Sequence, residues 1–220
     1  EEKFMWMDKF TTRNLELFYS PNKGAKTLID ILNHTETAMG SRMLNRWLAL
    51  PLKNLEEINS RTDVVGFFLR NQNFFELVKS NINQIGDLER LVSKTSTLRI
   101  NPREIEKLKH SLISLSPIKK ACLDSDMSIL VSLGNNINLC NDLVDKIENE
   151  LIENPPVFLH KGDVINKGVN IELDDLKEIK NSGKILLDKM LQNEIDNTSI
   201  SSLKISFNNV FGYYLEVRNI

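Results

Sequence analysis

IELDDLKEIKNSGKILLDKMLQNEIDNTSISSLKISFNNVFGYYLEV, residues 171–217, changes its period once, and that change decides the fold. Leu173, Leu176, Ile179, Leu186, Leu187, Met190 and Leu191 recur at helical spacing, so residues 171–195 form a long helix with an apolar stripe. Asn170 can cap it, and Glu172, Asp174 and Asp175 suit the positive end of its dipole. Gly183 sits at mid-helix and marks a candidate point of close approach. After Asn197-Thr198 the period becomes two. Leu203, Ile205 and Phe207 share one face, with Lys204 and Ser206 opposite. Tyr213, Leu215 and Val217 repeat the pattern, with Tyr214, Glu216 and Arg218 on the other face. Joined by NNVFG, these are two antiparallel strands of a hairpin. A hairpin alone is marginal in water. The rest of this small sheet is therefore expected to come from elsewhere, and the chain is read as a piece of a longer protein.

Upstream the pattern is mostly helical. Thr37 is a good N-cap for TAMGSRMLNRWL, residues 37–48, whose apolar face carries Met39, Met43, Leu44, Trp47 and Leu48. Gly40 stands in the first turn, where glycine costs up to about 1 kcal/mol against alanine. Its presence suggests that another backbone passes close by. Asn54 caps the next run with Glu57 in a capping box. NQNFFELVKSNI continues as a helix, and Asp87 caps the run to 99. Asn101, Pro102 and Glu104 open the clearest helix, which Ser116-Pro117 is expected to end. Residues 137–151 form one more. Two segments read differently: FMWMDKFTTRNLELF as two short strands, and VFLHKGDVINKG as a hairpin turning at Lys161-Gly162-Asp163. The fold class is mainly α, a multi-helix core with short β hairpins and a C-terminal antiparallel β element on a long helix. The division falls at 1–195 and 196–220.

Bulk properties exclude several classes. The 220 residues carry 26% charged side chains and a net charge of −2, which argues against a self-sufficient basic DNA-binding face. No apolar run approaches ~18 residues, so no membrane-spanning helix is expected. Cys122 and Cys140 lie in apolar helical patterns without metal-ligand spacing and read as packed thiols. His34, His110 and His160 are scattered and receive no role. Asp124 with Asp126, and Asp174 with Asp175, read as a solvated loop and helix-start carboxylates rather than metal sites. Asp87, Glu89 and Arg90 read as a wet helix face rather than a catalytic group. No phosphate-binding GxxxxGK[ST], no GxGxxG, no GxSxG and no HExxH occurs. No catalytic, cofactor-binding or metal residue is assigned, and the residues alone point to a helical scaffold that is not an enzyme.

The order of motifs carries more. TRNLEL at 12–17, TAMGSRMLNRWLALPL at 37–52, IxxRxDxV at 58–65 and IGDLERL at 85–91 follow one another. PPV at 155–157, GxxIxxGxNxELD at 162–174 and LKxxFNxVFGYYLEV at 203–217 complete the series. Together they resemble the MutS family of DNA mismatch-repair proteins, in its core (lever) domain and the start of its clamp. The likeness covers nearly the whole chain, and Ala38 stands where that family commonly has proline. The resemblance implies a lever helix at 171–195 and first clamp strands from 196 to 220. It implies a parent protein that binds mismatched duplex DNA, binds and hydrolyses ATP with Mg, forms a homodimer and works with a downstream partner such as MutL. It also implies a bacterial cytoplasmic, nucleoid-associated setting. Lys204 and Arg218, on the polar strand face, are the DNA-backbone candidates by charge. Gly40 would let its helix nestle against a neighbour, with Trp47 and Leu48 filling the interface. A helical protein-interaction scaffold without a DNA role, and a superfamily branch acting in recombination or ribosome rescue, are the alternatives.

Overall fold

A computed structural model describes residues 3–217. Backbone packing divides the chain into two compact units, Glu1–Ile165 and Asn166–Ile220. The boundary expected at 195/196 follows the change of period; this one follows packing and groups the long helix with the hairpin.

Side chains of Asp8, Thr27, Thr37, Asn54, Asp87 and Asn101 cap helix starts in the first unit. The Asp8 carboxylate accepts the Thr11 N–H at 2.6 Å and opens α1 (Lys9–Asn14). Thr27 and Asp30 form a reciprocal capping box at α2 (Leu28–Leu32). Thr37 Oγ1 accepts the Gly40 N–H at 3.0 Å and opens α3 (Ala38–Ala49). Asn54 caps α4 (Leu55–Arg70), which turns through Asn71 into α5 (Gln72–Ile82). Edge-to-face contacts hold this pair: Phe74 meets Phe67 at 5.2 Å and Phe68 at 5.3 Å between ring centres. Then come α6 (Leu88–Ser96), α7 (Pro102–Ile113), α8 (Leu115–Leu123), α9 (Ser128–Asn136) and α10 (Asn141–Glu150). The buried apolar residues Leu91, Leu112, Ile118, Cys122, Leu130 and Ile147 all come from α6–α10, so the core sits there.

Several expectations are corrected. Residues 9–14 are helical, because the Asp8 cap captures the first turn; Phe4 makes only an isolated bridge with Leu52. Pro117 does not end a helix. Residue 114 is the junction, and Pro117 lies in the first turn of α8, where a missing N–H breaks no helical bond. VFLHKGDVINKG is no hairpin. Its middle is a 3₁₀ turn at Leu159–Lys161, and the antiparallel bridge runs between Leu151 and Ile165. Glu57 does not close a capping box; its carboxylate takes Lys3 at 2.9 Å instead. Cys122 is buried, which raises its thiol pKa, but Cys140 is half-exposed at the start of α10 with φ +50°.

The second unit is α11 (Ile171–Thr198) followed by β1 (Leu203–Asn208) and β2 (Gly212–Val217). Asn170 Oδ1 accepts the Leu173 N–H at 2.9 Å, and 28 helical residues give a rod of about 42 Å. Ser199, at φ +57°, ends it. The strands pair antiparallel with Leu203 opposite Val217, Ile205 opposite Leu215 and Phe207 opposite Tyr213. Asn208 Oδ1 accepts the N–H groups of Val210 and Phe211, and Gly212 supplies φ +71° at the end of the turn. β1 packs on the end of α11, where Leu203 is buried.

Apolar surface is left uncovered. Leu176, Ile179, Leu186 and Met190 on the α11 stripe are all more than half exposed. The chain exposes 16580 Å². Two separate compact bodies of these lengths would expose roughly 12,000 Å². Among the described residues, no helix is long and apolar enough to cross a membrane.

The glycines separate by what surrounds them. At Gly183 an added Cβ meets nothing within 4 Å, so the expected close approach is absent in this structure. At Gly134 an added Cβ would lie 3.0 Å from Cys122 Cβ and 3.1 Å from Leu123 Cγ, the true close approach of α8 and α9. Gly183→Ala should therefore raise helix stability by up to about 1 kcal/mol, whereas Gly134→Val should lower stability by about 1–3 kcal/mol through overpacking. Urea unfolding of the two variants checks both signs.

Candidate functional site

Three groups of side chains tie the helices that bear the sequence motifs. The first joins α3 to α6. The Arg42 guanidinium donates from both Nη atoms to Asp87, at 3.1 and 2.7 Å, and from Nε to Glu89 at 2.7 Å. Asp87 also caps α6, accepting the Arg90 N–H at 3.2 Å. One carboxylate thus serves a helix terminus and a bidentate arginine fork at once. The Arg42 hydrogen bond, ahead of the Arg90 N–H, holds the Asp87 pKa below its ordinary value, and the same contact raises that of Arg42.

The second group joins α6 to α7. The Gly86 N–H donates to Ser111 Oγ at 2.9 Å, and Ser111 is fully buried. An added Cβ at Gly86 would fall 2.8 Å from Lys107 Cε and 3.4 Å from Ser111 Oγ, so the glycine lies close against α7, where only the flexible end of Lys107 would have to shift. Lys94 pairs with Glu104, whose carboxylate also completes the Asn101 capping box. The pairing lowers the Glu104 pKa, with Lys94 as the largest cause.

The third group docks the segment leaving the core. Buried Glu106 accepts the Asn154 N–H at 2.7 Å through Oε1. Arg103 Nε donates to the Pro155 carbonyl at 3.3 Å, and Pro155 is fully enclosed. The PPV motif is therefore an anchoring point on α7, upstream of the bridge at Ile165.

Of the α3 residues singled out from sequence, Gly40 and Trp47 line one groove and Leu48 does not. Gly40 lies at its edge with Met39, Met43 and Leu50. The nearest atoms to an added Gly40 Cβ are side chains of the preceding turn, Thr37 Oγ1 at 3.2 Å and Thr35 Cβ at 3.4 Å, not another backbone. Trp47 is 43% exposed rather than sealed, and the Arg61 guanidinium lies over its ring at 3.8 Å. Leu48 is half-buried.

On the hairpin, Lys204 is not an isolated cation. It pairs with Glu216 on the neighbouring strand at 3.2 Å, and Ser206 Oγ donates to the same carboxylate at 3.0 Å. Arg218 lies outside the described residues. Val210 and Phe211 at the turn are 83% and 79% exposed. Among the described residues, no three His, Cys, Asp or Glu side chains converge on a metal position.

Sequence reasoning singled out Gly40 and Gly183 but missed Gly86, Gly134 and Ser111. The signal available for Gly86 was its place just before the Asp87 cap, within IGDLERL. For Gly134 nothing in the local pattern marked it, because the crowding comes from α8. The Arg42 fork joins residues 45 and 47 positions apart, each of which reads alone as a solvated charge.

The class these observations define is a helical body tied by polar contacts, with a long helix ending in a β-hairpin. The family model described as MutS domain III matches residues 10–210. Curated relatives match along the full chain. The DNA mismatch repair protein MutS of Bacteroides thetaiotaomicron is 46% identical over 220 residues, covering 100% of this chain and 26% of its own length. Those of Phocaeicola vulgatus and Flavobacterium psychrophilum are 47% and 49% identical over 219 residues, again covering 100% of this chain and 25% of theirs. The chain belongs to the MutS family and spans about a quarter of the length of the curated relatives it matches.

The Asp87 shift fixes a pH dependence. A carboxylate whose folded pKa is depressed stabilises the fold above its unfolded value and loses that contribution as pH falls through the folded value. Arg42→Gln should lower the melting temperature at pH 7, and the gap to the parent chain should close as pH drops below 3.8, the ordinary Asp value. Melting curves from pH 7 to pH 2 measure it; a gap independent of pH would remove the ion pair from the account.

Proposed function

We propose that this chain is the central, signal-transmitting segment of a DNA mismatch-repair protein. The match to MutS domain III across residues 10–210, which takes in both units, carries this reading. In it, residues 1–195 are the core and lever, and residues from 196 are the first clamp strands. The longer protein binds mismatched duplex DNA, uses ATP with Mg in regions outside this chain, acts as a homodimer in the bacterial cytoplasm at the nucleoid, and passes its signal to a partner such as MutL. The segment itself performs no chemistry; it carries displacement.

The geometry supports that role by simple mechanics. A rod of about 42 Å turns a tilt of about 5° at its base into roughly 4 Å at its far end. Such a lever needs a base that moves as a unit. Close-packed cores and polar ties have discrete arrangements rather than continuous ones, which is what a two-state signal requires. The Arg42 fork, the Ser111 bond to Gly86 and the Glu106 anchor at Asn154 join α3, α6, α7 and the segment that leaves α10. At the other end of α11, the hairpin's polar face offers Lys204 to phosphate, and Arg218 is a second candidate by charge alone. A phosphate must compete with Glu216 for Lys204, so that lysine supplies a modest share of affinity.

The test uses the full-length gene product and duplexes with and without one mispair. Affinity should fall linearly with salt on a log–log scale, with the mispaired duplex bound more tightly. Lys204→Ala should weaken both duplexes alike and reduce the salt slope by about one. No salt-dependent duplex binding by the full-length protein would leave the protein-interaction scaffold as the better reading.

A further inference from the structure

The groove along α3 combines two properties that a lever base does not require. Its floor is apolar: Met39, Met43 and Leu50 line it, and Met43 is 55% exposed. Its rim is cationic, with Lys3, Arg42, Arg46 and Arg61 against the one carboxylate of Glu89 among the described residues. Lys3 is held by Glu57, and Arg42 by Asp87 and Glu89. Arg46 and Arg61 make no salt bridge among the described residues. The Arg61 guanidinium is seated on the Trp47 ring, 3.8 Å from its centre. The Arg42 fork holds Glu89 on the groove wall, so the walls are pre-formed rather than assembled on binding.

Two uncompensated guanidinium groups above an apolar floor select a ligand that presents carboxylates beside a large apolar side chain. A nucleic-acid backbone suits this place poorly: it has no group for Met43 and Leu50, and its phosphates would face Glu89. A peptide supplies both halves of the match. The chain spans about a quarter of the length of its curated relatives, so most of the surface available to fill this groove belongs to the rest of the same longer protein.

We propose that the α3 groove seats an acidic, apolar segment of the remaining part of the same longer protein. Its carboxylates meet Arg46 and Arg61, and its aromatic or aliphatic side chain rests on Met43 and Leu50. The contact would tie the lever's base to another domain through a charge-selective joint. This rests on the reading that the chain belongs to a longer protein, not on DNA binding.

The experiment places benzoylphenylalanine at Met43 in the full-length protein and maps the photo-cross-link by mass spectrometry. The expected product is an intramolecular link to a peptide outside residues 1–220, with Asp or Glu within a few positions of the attachment. Arg46→Glu together with Arg61→Glu should cut the yield at least about fivefold, and reversing the mapped carboxylate to Lys should restore it. If the double reversal unfolds the protein, Arg46→Gln with Arg61→Gln gives the same comparison at neutral charge. A link to DNA, to a separate protein or to a segment without carboxylates overturns the proposal, as does no link or a yield indifferent to the charge changes. A natural gene product of only 220 residues would instead overturn the reading of a longer protein.

Discussion

A shortage of buried apolar surface governs this chain. It leaves 16580 Å² exposed, well above what its length needs as compact bodies. The buried apolar core is small, with most of its side chains between α6 and α10 and only Leu17, Leu52 and Leu203 buried elsewhere among the described residues. Where hydrophobic packing is thin, geometry must be fixed by directional contacts. The Arg42 fork, the Gly86–Ser111 bond and the Glu106–Asn154 bond supply them, the fork and the last across 45 and 48 residues and the second between the consecutive helices α6 and α7. Each also engages a group that already serves its own neighbourhood. Asp87 caps a helix, Gly86 admits a close approach, and Asn154 stands where the chain leaves the core.

That pattern suits a part that transmits movement. An element with a large sealed core is rigid but has no free faces for neighbours to push on. Here the α3 groove and the α11 stripe stay open, while the polar ties keep the base together. The hairpin repeats the arrangement. Leu203 is buried against the end of α11, whereas Phe207, Tyr213 and Leu215 on the same face are half-exposed or more. A two-stranded sheet of this kind gains stability only when that face is covered.

Much of this was legible in the sequence. The period change at 197–203 placed α11 and both strands, and the cross-strand register follows the alternation residue by residue. Caps at Thr37, Asn54, Asp87, Asn101 and Asn170 announced their helices because capping is local chemistry. The misreadings have local causes too. The Asp8 cap overrides the alternation in residues 4–17, and Pro117 has the look of a stop but begins the next helix. What could not be read was long-range: which charges pair across 45 residues, and which glycine is crowded by a helix elsewhere. Gly183 looked like a contact and is open, while Gly134 looked ordinary and is pressed against Cys122. The motif order carried the family where composition was silent, since a net charge of −2 marks no nucleic-acid surface.

The central claim is that the uncovered faces of this chain are covered in the full-length protein. Hydroxyl-radical footprinting of that protein, read at Met43, Trp47 and Met190, tests it most directly. In this structure these side chains are 55%, 43% and 54% exposed. Labelling far below the rate such exposure supports is the expected result. Labelling at the full rate for all three would mean that nothing covers them, and would contradict the account.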